Sequence, residues 1–153
     1  MGRHACLILL PLALTSPAAA TAPKEPLGHH GRWITDAKGR VVVFHGAAVI
    51  PDGFGDKALE TAEEAGFARA DARLLARLGF NLVRLGAFHG GYEREPGTFS
   101  EEYLDSFERT QRLLARFRIF TLFDFHQDML NQRYQGRGFA DWFIVDDGFP
   151  NDP

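Results

Sequence analysis

Only one cysteine occurs in the 153 residues, Cys6. It sits in an apolar N-terminal stretch that reads as a removable leader, so the mature chain is expected to hold neither a thiol nor a disulfide. Stability must then come from a hydrophobic core. No apolar run approaches the roughly 20 residues needed to span a bilayer. The net charge is −3, from 17 basic and 20 acidic side chains, which leaves no basic footprint for nucleic acid. Neither G-x-G-x-x-G nor G-x-x-x-x-G-K-[ST] follows any strand-like run, which counts against a nucleotide cofactor. Internal repeats and low-complexity tracts are also missing.

The leader comprises residues 1–22: Arg3, the apolar core Cys6 to Leu14, then Ala18-Ala-Ala-Thr-Ala22. That order is the pattern of a secretory signal cut near Ala20 to Ala22, and it implies a secreted protein. Residues 23–31, rich in Pro, Gly and His, read as a linker, with His29 and His30 as solvated loop. The remainder, 32–153, reads as one catalytic-type domain. Trp33 to Thr35 and Arg40 to Phe44 are β-prone arms around Asp36-Ala-Lys-Gly39, which predicts a β-hairpin. The second arm runs on into His45 to Val49, the first core strand.

Phe67, Leu74, Leu75 and Leu78 then recur at helical spacing up to Gly79, and a second strand, Phe80 to Leu85, follows at once. After an insertion, Gly86 to Phe99, Ser100 offers an N-cap with Glu101 and Glu102 behind it. The helix it opens carries Tyr103, Leu104, Phe107, Leu114 and Phe117 on one stripe. Ile119 to Phe125 is a third strand, apolar enough to be buried on both faces. Helix-to-strand joints are short and strand-to-helix joints long. In parallel α/β proteins the site is built by the segments leaving the strands' C-terminal ends. The fold predicted is an incomplete (β/α)8 TIM barrel: about the first three βα units of eight, preceded by the hairpin. A closed barrel takes about 250 residues, so this is the N-terminal portion of one.

Polar residues at or near strand ends are the candidates for chemistry: His45, Arg84, Asp124, His126 and Asp128. A guanidinium inside the apolar run Phe80 to Leu85 calls for a carboxylate partner, either catalytic or structural. Asp124, His126 and Asp128 share one face if the strand stays extended. Three readings stay open for them: support of a glycosidase site, a hard-metal site completed by His45, or a satisfied polar cluster. The loop Leu130 to Pro153 holds Tyr134, Phe139, Trp142, Phe143 and Phe149. Such rings suit sugar faces or a lipid, Trp142 best of all, although a loop packed by its own aromatics is the plainer account.

Several stretches carry a family resemblance: Ile34 to Gly46 (ITDAKGRVVVFHG), Gly79 to Leu85 (GFNLVRL), Glu95 to Gly97 (EPG), Tyr103 to Asp105 (YLD), Asp124 to Met129 (DFHQDM) and Gly138 to Trp142 (GFADW). In this order they resemble the N-terminal part of glycoside hydrolase family 5, in its endoglycoceramidase-related branch. The resemblance implies a retaining β-glycosidase acting on glycolipid or a related β-glycoside, with no cofactor, no metal and no nucleic-acid partner. It also implies peripheral contact with membrane glycolipid. Under it Arg84 braces the nucleophile, His126 lines the sugar subsite and Asp128 bonds sugar hydroxyls.

The two catalytic glutamates of that family lie on later strands and are expected downstream of Pro153; no catalytic residue is present here. Glu60, Glu63, Glu64, Glu93, Glu95, Glu101, Glu102 and Glu108 all fall in loops or on a helix. The fragment alone is therefore expected to be inactive. An endo-β-1,4-glucanase of the same family and a non-catalytic sugar-binding remnant are the rivals. The chain departs from the branch at Gly46-Ala47-Ala48 in place of Gly-x-Asn, at His89 in place of tryptophan and at Arg94 in place of proline.

Overall fold

The computed structural model describes residues 23–51 and 60–145. The expected signal peptide, the tip of the first insertion, Asp146-Asp147 and Phe149 lie outside the described residues. The described residues open with a hairpin placed one step earlier than the sequence suggests. Strand β1 (Gly28–His30), inside the stretch read as linker, pairs antiparallel with β2 (Trp33–Thr35). The reversal is made at Gly31, whose φ of 55° suits glycine.

The arm expected to pair with Trp33 to Thr35 from the other side touches it only through a Thr35–Val41 bridge and a Val42 N–H to Ile34 bond. Asp36 explains why a ladder does not form. Its buried carboxylate accepts from the N–H groups of Lys38 and Arg40 at 2.9 and 3.0 Å and from the Arg40 guanidinium at 2.6 Å. A side chain thus takes donors that a strand partner would otherwise engage.

Three parallel strands form the frame: β3 (Gly46–Val49), β4 (Leu82–Ala87) and, after two helices, β7 (Phe120–Phe125). Helix α1 (Arg69–Arg77) joins the first two. It ends where Gly79 takes φ 83°, with Gly79 N–H on the Ala76 carbonyl and Phe80 N–H on that of Leu75. Those two bonds make a Schellman cap. Ala72 and Leu75 cover the core, whereas Leu74 and Leu78, expected on the buried stripe, are exposed on the helix flank.

Strand β4 starts at Leu82 rather than Phe80, because Asn81 is used to tie off the previous strand. Its amide donates to the Val43 carbonyl and its side-chain oxygen accepts from His45 N–H. The next insertion has structure of its own: a helical turn α2 (His89–Tyr92), then the hairpin β5 (Glu93–Glu95) and β6 (Thr98–Phe99). Helix α3 (Glu101–Arg116) follows, capped by Ser100 Oγ accepting from Tyr103 N–H at 3.2 Å.

Tyr103, Phe107 and Leu114 of α3 are buried against Val83, Leu85 and Ala87 of β4. Each fully buried side chain of Val or Leu size contributes about 1.5–3 kcal/mol. The third strand departs from expectation. Leu122, Phe123 and Phe125 are about half exposed, so β7 is an edge, with β4 its only paired strand among the described residues. Each new strand adds on the same side, β3 to β4 to β7, as closing a barrel requires.

Candidate functional site

In the parallel register Arg84 stands opposite Leu122 and Gly86 opposite Asp124. Side chains two apart share a face. Arg84 and Asp124 therefore meet diagonally, on the face turned from the helices, and Arg84 Nη2 reaches Asp124 Oδ2 at 2.8 Å. The Arg84 side chain is 45% exposed, which corrects the expectation of a buried one. The expected carboxylate partner is present.

Past the end of β7 the chain keeps the ionic pattern. The His126 ring takes Asp124 Oδ2 at Nδ1, 3.0 Å away, and Asp128 Oδ2 at Nε2, 3.2 Å away. Phe88, just beyond β4, meets the ring edge-on. A neutral imidazole can donate to only one of these carboxylates; a doubly protonated ring serves both. Because the ring stands between them, the carboxylates do not converge on one point. Among the described residues no group of three His, Cys, Asp or Glu side chains forms a metal-binding arrangement.

Asp128 is closed from the far side by Arg137, whose Nε lies 2.9 Å from the same Oδ2. This guanidinium holds the Asp128 carboxyl below the usual carboxylate range, with the charge of His126 adding to the effect and partial burial opposing it. The cluster is thus a line of alternating groups: Arg84, Asp124, His126, Asp128, Arg137. Arg137 was not among the residues singled out from the sequence. The signal available was its bracket, Gly136 and Gly138. A Cβ at Gly136 would lie 1.8 Å from the Asp128 carbonyl oxygen, and one at Gly138 would lie 2.6 Å from the Gln127 side chain.

Two other candidates fall elsewhere. His45 precedes β3, at the strands' N-terminal end, where its ring stacks on Phe80 at 4.3 Å. It is three residues before Ala48, the partner of Arg84, or roughly 10 Å along the strand. It cannot complete a site with Asp124. Trp142 donates through Nε1 to the Glu93 carbonyl at 3.2 Å and packs with Phe143 and His89. His89 is largely enclosed by Phe139, Trp142 and Phe143, with Nε2 3.3 Å from Glu93. The aromatic loop therefore packs on the segment following β4, as a wall beside the charged line, and leaves Trp142 38% exposed.

In α/β domains ligands bind where parallel strands release their loops, and the charged groups gather on that side here. Comparison with known proteins narrows the class. No family model matches the chain. An endoglycoceramidase of Cyanea nozakii is 31% identical over 112 residues, 72% of this chain and 22% of its own length. Endo-glycoceramidase II from Rhodococcus sp., solved as a lactosyl-enzyme intermediate, superposes with a TM-score of 0.63 at 27% identity, over 77% of this chain and 28% of that one. Its complex with ganglioside GM3 gives 0.63 at 25%, over 79% and 29%. The chain belongs to the endoglycoceramidase family as a part of it, spanning less than a quarter of the curated relatives it matches.

Proposed function

We propose that this chain is the N-terminal part of a secreted (β/α)8-barrel glycosidase that hydrolyses the O-glycosyl bond of glycolipids with retention. The observation carrying the reading is the line from Arg84 to Asp128. It sets a half-exposed carboxylate, Asp128, beside a braced histidine at the C-terminal end of the parallel strands. Held by that histidine, the carboxylate can accept hydrogen bonds from sugar hydroxyls. The names of the relatives, and the lactosyl and GM3 complexes of one of them, support sugar as the ligand and a glycolipid as its source.

In this reading Arg84 orients Asp124, which with Asp128 fixes the plane of the His126 ring. Trp142 offers an apolar face to a sugar or lipid. Retaining hydrolysis uses two carboxyl groups about 5 Å apart, one attacking the anomeric carbon and one protonating the leaving oxygen. Among the described residues no glutamate joins the charged line: Glu63 pairs with Arg109, and Glu93 with His89. Both catalytic glutamates are expected downstream of Pro153, and the 153 residues alone do not turn over substrate.

The test is to express the uninterrupted gene product with its leader and present glycosphingolipid, soluble β-glucan and aryl β-glycosides. The expected result is intact oligosaccharide released from ceramide, β-configured when first formed by proton NMR, from protein recovered in the medium. Cleavage of glucan alone would transfer the protein to the endoglucanases. A folded full-length protein that cuts none of the three overturns the proposal.

A further inference from the structure

Among the described residues, Arg137 is the one charged side chain of the cluster that reaches all three loops leaving the parallel sheet. Its side chain is only 9% exposed. From the loop after β7 it donates through Nη1 to the Pro51 carbonyl, in the loop after β3. Its guanidinium carbon lies 5.2 Å from the ring centre of Phe88, which follows β4 and also supports His126. Its Nε meets Asp128. The backbones of the two residues pair as well, Asp128 N–H to Arg137 carbonyl at 2.9 Å and Arg137 N–H to Asp128 carbonyl at 2.8 Å. Gly136 and Gly138 permit this approach because neither position has room for a Cβ.

We propose that Arg137 is a positioning residue: clamped to Asp128 by backbone and side chain, it aims that carboxylate at a sugar hydroxyl and fixes the three loops around it. The geometry specifies which oxygen does the binding. His126 and Arg137 both engage Oδ2, which leaves Oδ1 on a half-exposed carboxylate to accept from a ligand. A mobile aspartate at the same place would lose side-chain entropy on binding, whereas this one is already held. The groups facing Asp128 are His126 and Arg137, with Asp124 and Arg84 beyond the imidazole, so removing Arg137 leaves His126 as its remaining direct partner. The inference rests on the glycosidase reading for the identity of the ligand, and on the clamp alone for the state of Asp128.

The experiment uses the uninterrupted gene product and the variants Arg137→Met, Arg137→Lys, Asp128→Asn and the double variant Arg137→Met/Asp128→Asn, each checked for folding by circular dichroism. Losing a charge-assisted hydrogen bond that presents the ligand-binding group predicts a fall of about 10- to 100-fold in kcat/KM for Arg137→Met, mostly through KM. The acid limb of the pH profile moves to higher pH, because Asp128 loses the cation that keeps it ionised. Arg137→Lys recovers part of both effects. In the Asp128→Asn background, Arg137→Met costs less than about threefold more, because the two act as one unit.

An equal loss in both backgrounds, or an unmoved acid limb in a folded variant, overturns the proposal. Should Arg137→Met not fold, Arg137→Lys carries the same two readouts. Should the unaltered protein hydrolyse nothing, the glycosidase reading fails by itself. The Asp128 carboxyl, titrated by carbon-13 NMR with and without Arg137, then decides: an upward shift supports the clamp and no shift rejects it.

Discussion

A side-chain carbon at Gly136 would lie 1.8 Å from the carbonyl oxygen of Asp128. No real contact of that kind exists, so Gly136→Ala must push the loop after β7 off the end of its strand. Both backbone bonds between Asp128 and Arg137 would be strained or lost. The expected cost is about 2–3 kcal/mol, in the upper part of the usual range for single substitutions. Denaturant unfolding of Gly136→Ala beside the unaltered protein measures it, and a change under about 0.5 kcal/mol would mean the loop yields freely.

Helices α1 and α3 end in the same way with different residues. Gly79 takes φ 83° after α1, and Arg118 takes φ 60° after α3, each with both bonds of a Schellman cap. A side chain in that region costs about 1–2 kcal/mol, and glycine's looser unfolded state returns part of any gain. Arg118→Gly is therefore expected to stabilise the fold by about 0.5–1 kcal/mol, and Gly79→Ala to destabilise it by about 1 kcal/mol. Thermal melts of the two variants should shift in opposite directions.

Acid weakens the fold through Asp36 and Asp128. The Arg40 guanidinium holds Asp36 far below the usual carboxylate range, and Arg137 lowers Asp128. A group with a depressed folded-state pKa adds stability above its unfolded value, near 3.9, and that stability is lost as pH falls toward the folded value. Stability should decline from about pH 5 downward. Asp36→Asn should be less stable at neutral pH and show a flatter acid limb, which urea midpoints taken from pH 7 to 3 would reveal.

Strand β7 presents Leu122, Phe123 and Phe125 at about half exposure on an edge that no other strand pairs among the described residues. Edges of that kind recruit further strands. The 153-residue chain expressed by itself is expected to self-associate, and Leu122→Lys should lower the apparent mass in light scattering at equal concentration. A chain that stays monomeric at high concentration without the substitution would contradict this.

Leu114 is fully buried where α3 meets the sheet. Its replacement by alanine removes apolar contact and leaves a cavity, at an expected cost of about 2–5 kcal/mol. Leu104, on the same helix but partly exposed, should cost clearly less, and comparing the two unfolding midpoints tests the assignment of the buried face.

Periodicity and punctuation made much of the frame legible. Ser100 with its following glutamates marked the start of α3, Gly79 marked the end of α1, and the run through Phe125 marked the third strand. These are local signals, each set by the backbone preferences of a few neighbouring residues, so the chain alone carries them. Asp124, His126 and Asp128 could be read together as alternate residues at a strand's end, although the strand stops at Phe125 and the ion contacts, not the period of two, join the last two to it.

Other features depended on partners far away in sequence. Trp33 to Thr35 has its β-prone neighbour on the C-terminal side only, yet Asp36 takes donors of that arm and the strand pairs backward with Gly28 to His30. Arg84 looks buried in an apolar run, yet its exposure depends on what covers that face of the sheet. His45 and Asp124 both border strands, but parallel pairing sends them to opposite ends. Arg137 stands in an unremarkable loop, and the fold brings it to Asp128, Phe88 and Pro51. Sequence determined the elements and the chemistry each one carries. Tertiary structure alone decided which charges meet, because distance between side chains is set by register and loop closure rather than by position along the chain.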